Sequence, residues 1–556
     1  MHDFNVLGRS ILFAALSAAV PALLAGPLRA QEGIADRVIA GQTVILNRYD
    51  PPPQVGTVEL GVEDARSKVD MGAAEAVRFR LRGVSVEGAR SVPPGSLAPL
   101  WQGRIGQVVT LAEMYRIAEA VDAAYLRAGY FSKTVVPVQD YASGTIRLQV
   151  FESYVDRIEI NSDISGIDRR LAPWLDRILA MHPIRVAEAE RVLLLMSDLG
   201  GLEIEGVFVR PDGATGGGLL RLQIDQDRTA GMIGLDNLGS EAVGPLQLAG
   251  ILDLDDHMGL FESSNLTGVV TPGDPRQLGL LQFSQDYPIG SDGLSAGFGV
   301  TFLRQRPGGS LADQEIDVTS ATATAHLSYP FLRRLDHSLF GRAELTLRND
   351  DVDVGGMAVS RSETRWVSLT LDYDRALEKG GFSADGGVSF GVASDLDMGD
   401  VPDDFRFVSG GLQYSRMLGE ELLLRVIASA QYSARELPGA VQFAVGGDPY
   451  GWAFDNGSLS GDSGAAMAVA LSHDVETGWD PLPVVTPSAF VDFGSVWYRD
   501  PGDGPVSESL GSYGIGVSGM LSQTMQFQVV AAIPWRYSVG VEDPGKQLLF
   551  RLAFPL

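Results

Sequence analysis

Six histidines, His2, His182, His257, His326, His337 and His473, are the residues best suited to proton transfer or metal binding, and they lie scattered. None belongs to an H-E-x-x-H pair, which would set two imidazoles on one helix face around zinc. No G-x-S-x-G turn is present to hold a nucleophilic serine above a sheet. The phosphate-cradling G-x-x-x-x-G-K-[ST] loop is also missing, and residues 213–218 read as a plain glycine-rich loop between strands. The chain has no cysteine, which excludes disulfides, thiol catalysis and cysteine-ligated zinc. Asp255-Asp256 and Asp403-Asp404 carry the hard oxygen donors that calcium takes, but exposed loop acids without a ligand spacing read as solvated. No enzyme, metal site or cofactor is expected. What remains unusual is a glycine-rich cluster, Val445-Gly446-Gly447-Asp448-Pro449-Tyr450-Gly451-Trp452, and a lone carboxylate, Asp492, in Phe490-Val-Asp492-Phe-Gly494. Tyr450 and Trp452 suit packing of a loop against a wall better than a ligand box.

Composition narrows the class. Of 556 residues, 43 are Lys or Arg and 70 are Asp or Glu, giving a formal charge of −27. Phosphate binding needs a cationic footprint, so nucleic acid is not an expected partner. The 66 glycines spread along the chain without a three-residue period, as many strands and turns require. Near the start, Arg9 precedes an apolar stretch at residues 11–25, and Ala30 suits the last residue of a signal peptide over residues 1–30. A membrane anchor is the competing reading, disfavoured because Pro21 and Gly26-Pro27 interrupt the segment before a span of about twenty residues.

Residues 31–78 read as a short helical piece (residues 34–46) and a linker containing Pro51-Pro52-Pro53, which favours extended geometry. Residues 79–154 follow the order strand, helix, strand, strand. A strand runs from Phe79 to Gly88; Leu111, Met114, Ile117, Val121 and Ala124 define an apolar helix face, which Gly129 ends; residues 133–138 and 145–151 are strands. Residues 155–228 repeat that order, with a strand at 155–161, a helix at 187–199 stopped by Gly200-Gly201, and strands at 202–210 and 219–225. An internal repeat of about 75 residues explains the matching order better than two unrelated domains.

From residue 229 to 556 the pattern changes to period two. Val367, Leu369, Leu371 and Tyr373 alternate with Ser368, Thr370, Asp372 and Asp374; Leu345 and Leu347 alternate with Thr346 and Arg348; Leu548, Phe550, Leu552 and Phe554 end the chain on an apolar face. A soluble sandwich would turn these faces inward, whereas a membrane barrel turns them to lipid. At roughly 20 residues per strand and turn the region holds about sixteen antiparallel strands, too much for one sandwich without linkers. The fold expected is therefore a membrane all-β barrel preceded by two small α+β domains, with the Asp- and Gly-rich residues 395–404 in an external loop.

Several stretches also resemble a known family. Arg127-Ala-Gly-Tyr130-Phe131, then Val136-Pro137-Val-Gln139-Asp140 and Gly144-Thr-Ile-Arg-Leu-Gln-Val150, resemble the first periplasmic POTRA domain of two-partner secretion transporters, the haemolysin and haemagglutinin secretion-activation family. Glu190-Arg-Val-Leu-Leu-Leu-Met-Ser-Asp-Leu199 with Gly200-Gly201 resembles the helix of the second. Leu235-Asp-Asn-Leu-Gly-Ser240 with Gly244, and Leu327-Ser-Tyr-Pro-Phe331, look like the family's barrel strands. The resemblance implies an outer-membrane protein of Gram-negative bacteria, its N-terminal domains in the periplasm, which captures a large exoprotein and passes it outward without nucleotide. It implies that residues 445–452 form a loop folded back into the pore and that Phe490, Asp492 and Gly494 form its partner on the barrel wall. The family's arginine-glycine-aromatic triplet reads Tyr450-Gly451-Trp452 here, so the arginine is missing and Asp492 needs another partner, solvent or a different arginine. Tyr130, Pro137, Gln139 and Asp140 mark the expected client-binding region, where an extended chain can add to a strand edge. Implied partners are the exoprotein, outer-membrane lipid and the barrel-assembly machinery. A factor that assembles other barrels is the alternative use of the same modules, and a diffusion porin a third that leaves the repeated α+β units unexplained.

Overall fold

The computed structural model describes residue 42 and residues 58–64, 71–210, 215–240, 242–392, 404–500, 502, 504–539, 541 and 543–556. The proposed signal peptide, the proline triplet, most of the 34–46 helix and most of the 395–404 loop lie outside these residues. Three bodies follow one another: two small α+β units and a closed antiparallel barrel.

In the first unit the expected strand from Phe79 to Gly88 is two strands, Arg78–Arg80 and Gly83–Glu87. The break has a physical cause. Leu81 is wholly buried and its N–H bonds to the Gln107 carbonyl (3.0 Å), while Gly83–Glu87 pairs elsewhere, in parallel with Thr145–Glu152. Helix Leu111–Arg127 starts in a capping box in which the Thr110 hydroxyl accepts from Glu113 N (3.3 Å) and the Glu113 carboxylate from Thr110 N (3.0 Å). Its buried face, Met114, Ile117, Val121 and Tyr125, repeats the apolar spacing, and Gly129 ends it with φ +87°. Tyr125 then donates to Glu152 (3.0 Å), which also accepts from Arg90 N and Ser91 N.

The second unit holds a helix not expected from the sequence, Ile167–Leu179, beside the expected Val186–Ser197. Ile167, Leu171, Trp174, Leu175 and Ile178 form its buried stripe. Pro173 in its interior and the charged residues around it obscure that pattern. A second departure concerns the linker: Val58–Asp64 is a strand, and it pairs in parallel with Leu202–Arg210, giving a four-stranded sheet in the order Val58–Asp64, Leu202–Arg210, Gly217–Gln226, Tyr154–Asn161. Val58, Leu60 and Val62 alternate with Glu59, Gly61 and Glu63, but local alternation does not name a partner strand so far along the chain.

The barrel has sixteen strands, from Thr229–Asp236 to Gln547–Pro555, with Val475–Trp479 prolonging Ser463–His473 along the same neighbour, Leu482–Trp497. Leu345, Leu347, Leu369, Leu371 and Leu548 are exposed on its outer surface, while Thr346, Arg348 and Asp350 are buried inside. That is the lipid-out, polar-in pattern of a membrane barrel. Among the described residues no helix is long and apolar enough to cross a membrane.

The second unit is seated on the barrel at several turns, the first of them after strand Gln247–Asp255. Asp256, at φ +53° after strand Gln247–Asp255, accepts from both Arg170 Nη atoms (2.9 and 2.5 Å), Gln226 Nε2 (3.0 Å) and Phe261 N (2.8 Å). The Arg170 guanidinium also lies over the Phe261 ring, 3.9 Å from its centre. A second bidentate pair joins Arg333 to Asp198 (2.9 and 2.7 Å).

Candidate functional site

The glycine-rich loop rises from a hairpin of Phe443–Val445 and Leu459–Gly461. Gly446, Gly447 and Gly451 have φ of +121°, +83° and +124°, values that a side chain would strain. They let the chain double back, with Gly446 N donating to Tyr450 O and Gly447 N to Gly451 O, both at 2.9 Å. The loop buries Val445, Ala453 and Phe454 against wall residues Ala466, Val496, Leu510 and Ala532.

Phe490, Asp492 and Gly494 stand at every second position of strand Leu482–Trp497, so all three face inward, and each meets the loop. The Phe490 and Trp452 rings lie 5.7 Å apart. Asp492, 1% exposed, accepts from Trp452 N at 3.4 Å. At Gly494 an added Cβ would stand 2.7 Å from Val445 Cγ1, so only the missing side chain lets the loop root seat.

The expectation that Asp492 turns to solvent or to a different arginine is not met. Its carboxylate accepts from Ser512 N (2.8 Å) and the Ser512 hydroxyl (2.5 Å). Ser512 thus supplies two short hydrogen bonds, with the longer one from Trp452 N as a third. Tyr450, in the place of the family's arginine, instead packs against the apolar cluster of Val445, Ala453 and Phe454. A loop–wall ion pair does exist, elsewhere and with the charges exchanged: Asp448 of the loop meets Arg551 of strand Gln547–Pro555 at 3.2 Å.

A second inward cluster escaped sequence reading. Arg348 and Asp350, 2% and 0% exposed in their side chains, form an ion pair at 2.9 Å. Gln42, helical and fully buried, takes hydrogens from Arg348 (3.3 Å) and Ser320. A residue from the N-terminal region therefore sits inside the barrel. Nothing local to Gln42 signals this, because the contact joins residues more than 270 positions apart.

Of the four residues expected to mark client binding, Pro137, Gln139 and Asp140 lie in one segment of the first unit and Tyr130 follows its helix. Tyr130 forms an isolated bridge to Arg185, at the junction of the two units. Gln139 spends its amide on the chain itself: Oε1 accepts from Arg147 N (2.8 Å), and Nε2 donates to the carbonyls of Arg147 (2.9 Å) and Pro137 (3.2 Å). Asp140 caps the short helix Tyr141–Ser143. Between them Val138 is 97% exposed.

A lipid-facing sixteen-stranded barrel, a loop folded onto its inner wall and α+β units at its N-terminal side together define a membrane β-barrel protein of the kind that carries soluble α+β units. Comparison with known proteins gives the particular family. The profile of the haemolysin secretion/activation proteins ShlB/FhaC/HecB matches residues 220–519, and that of the ShlB-type POTRA domain matches residues 79–153. The chain belongs to the haemolysin secretion/activation family. It is 23% identical over 443 residues to the haemolysin transporter protein ShlB of Serratia marcescens (76% of this chain, 77% of that protein). It is 22% identical over 489 residues to the outer membrane transporter CdiB of Dickeya dadantii (84% of each). The structure of CdiB from Escherichia coli superposes with a TM-score of 0.71 at 18% identity, covering 96% of this chain and all of that one.

Proposed function

We propose that this protein takes a partner exoprotein from the periplasm and translocates it through the outer membrane to the cell surface or medium, with no nucleotide hydrolysed and no enzymatic step. The observation that carries the reading is the family match across residues 220–519, which spans the last strand of the second α+β unit and most of the barrel. Outer-membrane lipid and the barrel-assembly machinery complete its set of partners.

Capture is assigned to the first unit. Its sheet has two outer strands. Ser132–Val135 is buried, with Ser132 and Thr134 both donating to Asp122 at 2.7 Å, whereas Gly83–Glu87 is half-exposed. The Gly83–Glu87 edge therefore offers unpaired backbone groups to an extended client, with Val138 as an apolar contact on the same unit. In the pore, residues 446, 447, 450, 451 and 452 form the element a client must displace or pass, and residues 490, 492 and 494 form its seat.

The test compares the secreted proteins of a clean deletion with those of its parent and of the complemented strain. Loss of one large exoprotein, with other barrels retained, is the expected result. A joint fall of several outer-membrane proteins with an unchanged medium would replace transport by barrel assembly. A photo-crosslinking residue at Ser85 should capture the missing exoprotein, and failure there with capture elsewhere would move the docking edge.

A further inference from the structure

The barrel closes where its first strand, Thr229–Asp236, meets its last, Gln547–Pro555, and this seam is short. It runs from Met232↔Pro555 to Asp236↔Arg551, five residue pairs, whereas the last strand makes seven with its other neighbour. Just beyond, Asn237 takes over the pairing: its N–H donates to Phe550 O (3.2 Å), its side chain donates to Leu548 O (3.0 Å) and accepts from Phe550 N (2.6 Å). The in-folded loop touches both sides of this line. Asp448 reaches Arg551 on the last strand, with both side chains under a tenth exposed. Asn456 donates to the carbonyl of Leu238, two residues past the first strand, at 2.7 Å, and is itself buried.

We infer that Asp448 and Asn456 are positioning residues that staple the loop across the closing seam, so that seating of the loop and closure of the barrel are a single coupled event. Asp492 and Ser512 hold the loop to wall strands three and two places from the last strand and do not touch the seam. The loop thus has two anchorages with different consequences. Releasing the Ser512 side frees a loop, while releasing the Asp448 side frees a loop and weakens a joint. The Asp448–Arg551 contact is a charge-assisted hydrogen bond (3.2 Å), so the effect of losing Asp448 should exceed that of losing one neutral hydrogen bond.

The absence of cysteine makes the experiment direct, because a pair introduced at Ile233 and Phe554, which face each other in register on the lipid side, reports on this seam alone. The full chain is compared as parent, D448N, N456A and S512A, each with and without the oxidised Ile233→Cys/Phe554→Cys pair. The readout is the temperature at which the folded barrel converts to the unfolded form on a gel. All three variants should lower it, and the seam disulfide should shrink the deficit of D448N and N456A to that of a freed loop but leave that of S512A unchanged. A deficit of D448N and N456A that is undiminished in the crosslinked barrel would overturn the proposal, as would a parental transition in both. Pore conductance gives the second arm. D448R and R551D should each raise it several-fold and the double exchange should restore it. Additive increases in the double exchange would show that the two charges do not act as a pair.

Discussion

The Asp492 carboxylate and Ser512 face one another across neighbouring barrel strands, with the serine supplying both its amide hydrogen (2.8 Å) and its hydroxyl hydrogen (2.5 Å). One small residue thereby does what a long cationic side chain would otherwise do, and does it from the wall, not from the loop. The carboxylate keeps an oxygen directed at Trp452 N, so the loop is held through its backbone.

Replacing Ser512 by alanine should leave that carboxylate short of a donor in a nearly dry setting, a loss of about 1–3 kcal/mol. The expected result is a lower denaturant midpoint for the barrel and a larger, noisier pore conductance. Ser512→Thr, which keeps the hydroxyl, should behave close to the parent. If Ser512→Ala matches the parent in both readouts, the serine is not the partner that matters.

Gly494 makes a sharper case. Gly494→Ala places a methyl group 2.7 Å from Val445 Cγ1, and such overpacking costs about 1–3 kcal/mol. The loop root should lift from the wall, raising conductance, and Val445→Ala in the same chain should restore the parental value. Planar-bilayer recording of the single and double variants checks both directions.

Acid should loosen the joint between the second α+β unit and the barrel. Burial pushes the Asp256 carboxyl up, but the hydrogen bonds from Arg170, Gln226 and Phe261 N, with the Arg170 charge, outweigh it and bring the pKa below the usual carboxylate value. A depressed folded-state pKa contributes stability that is fully present above the unfolded value and is lost as pH falls through the folded one. The pairing should therefore hold at neutral pH and fail only below the ordinary carboxylate range. Asp256→Asn should remove this acid step and cost about 1–3 kcal/mol at neutral pH, less than a fully buried pair because Arg170 stays partly solvated. Protease accessibility of the junction, followed against pH, gives the measurement.

Gln139 and Val138 separate bracing from contact. Gln139→Ala should free the segment before Tyr141–Ser143, at about 1 kcal/mol per lost hydrogen bond, and speed hydrogen exchange at Arg147 N. Val138→Asp should leave exchange unchanged and reduce capture of the exoprotein. Equal exchange in parent and Gln139→Ala would show that the side chain does not brace the loop.

The barrel was legible because its alternation is set by the two solvents on either side of each strand: Leu345, Thr346, Leu347 and Arg348 report the wall's two faces residue by residue. The wall motif at positions 490, 492 and 494 came from family resemblance, and period two adds only that its three residues share a face. The partner of Asp492 was not legible, because a serine on the next strand has no distinguishing spacing. Helix Ile167–Leu179 had the right stripe but carried Pro173, and Phe79 to Gly88 looked like one strand because a change of pairing partner leaves no mark on composition. Val58–Asp64 and Gln42 find their places through contacts far along the chain, which local pattern cannot encode.

The placement of Val58–Asp64 has a topological consequence. This strand lies at one border of a four-stranded sheet and Tyr154–Asn161 at the other, with the whole first α+β unit spliced into the chain between them. That unit is therefore not a bead on a free end. Both of its leads are moored to the same raft, about 14 Å apart at 4.7–4.9 Å per strand, and Phe131 stacks on Phe208 while Val186 N donates to Gly129 O, so it cannot drift away or twist freely. The same arrangement makes it a cassette, exchangeable between relatives without cutting the platform that carries it.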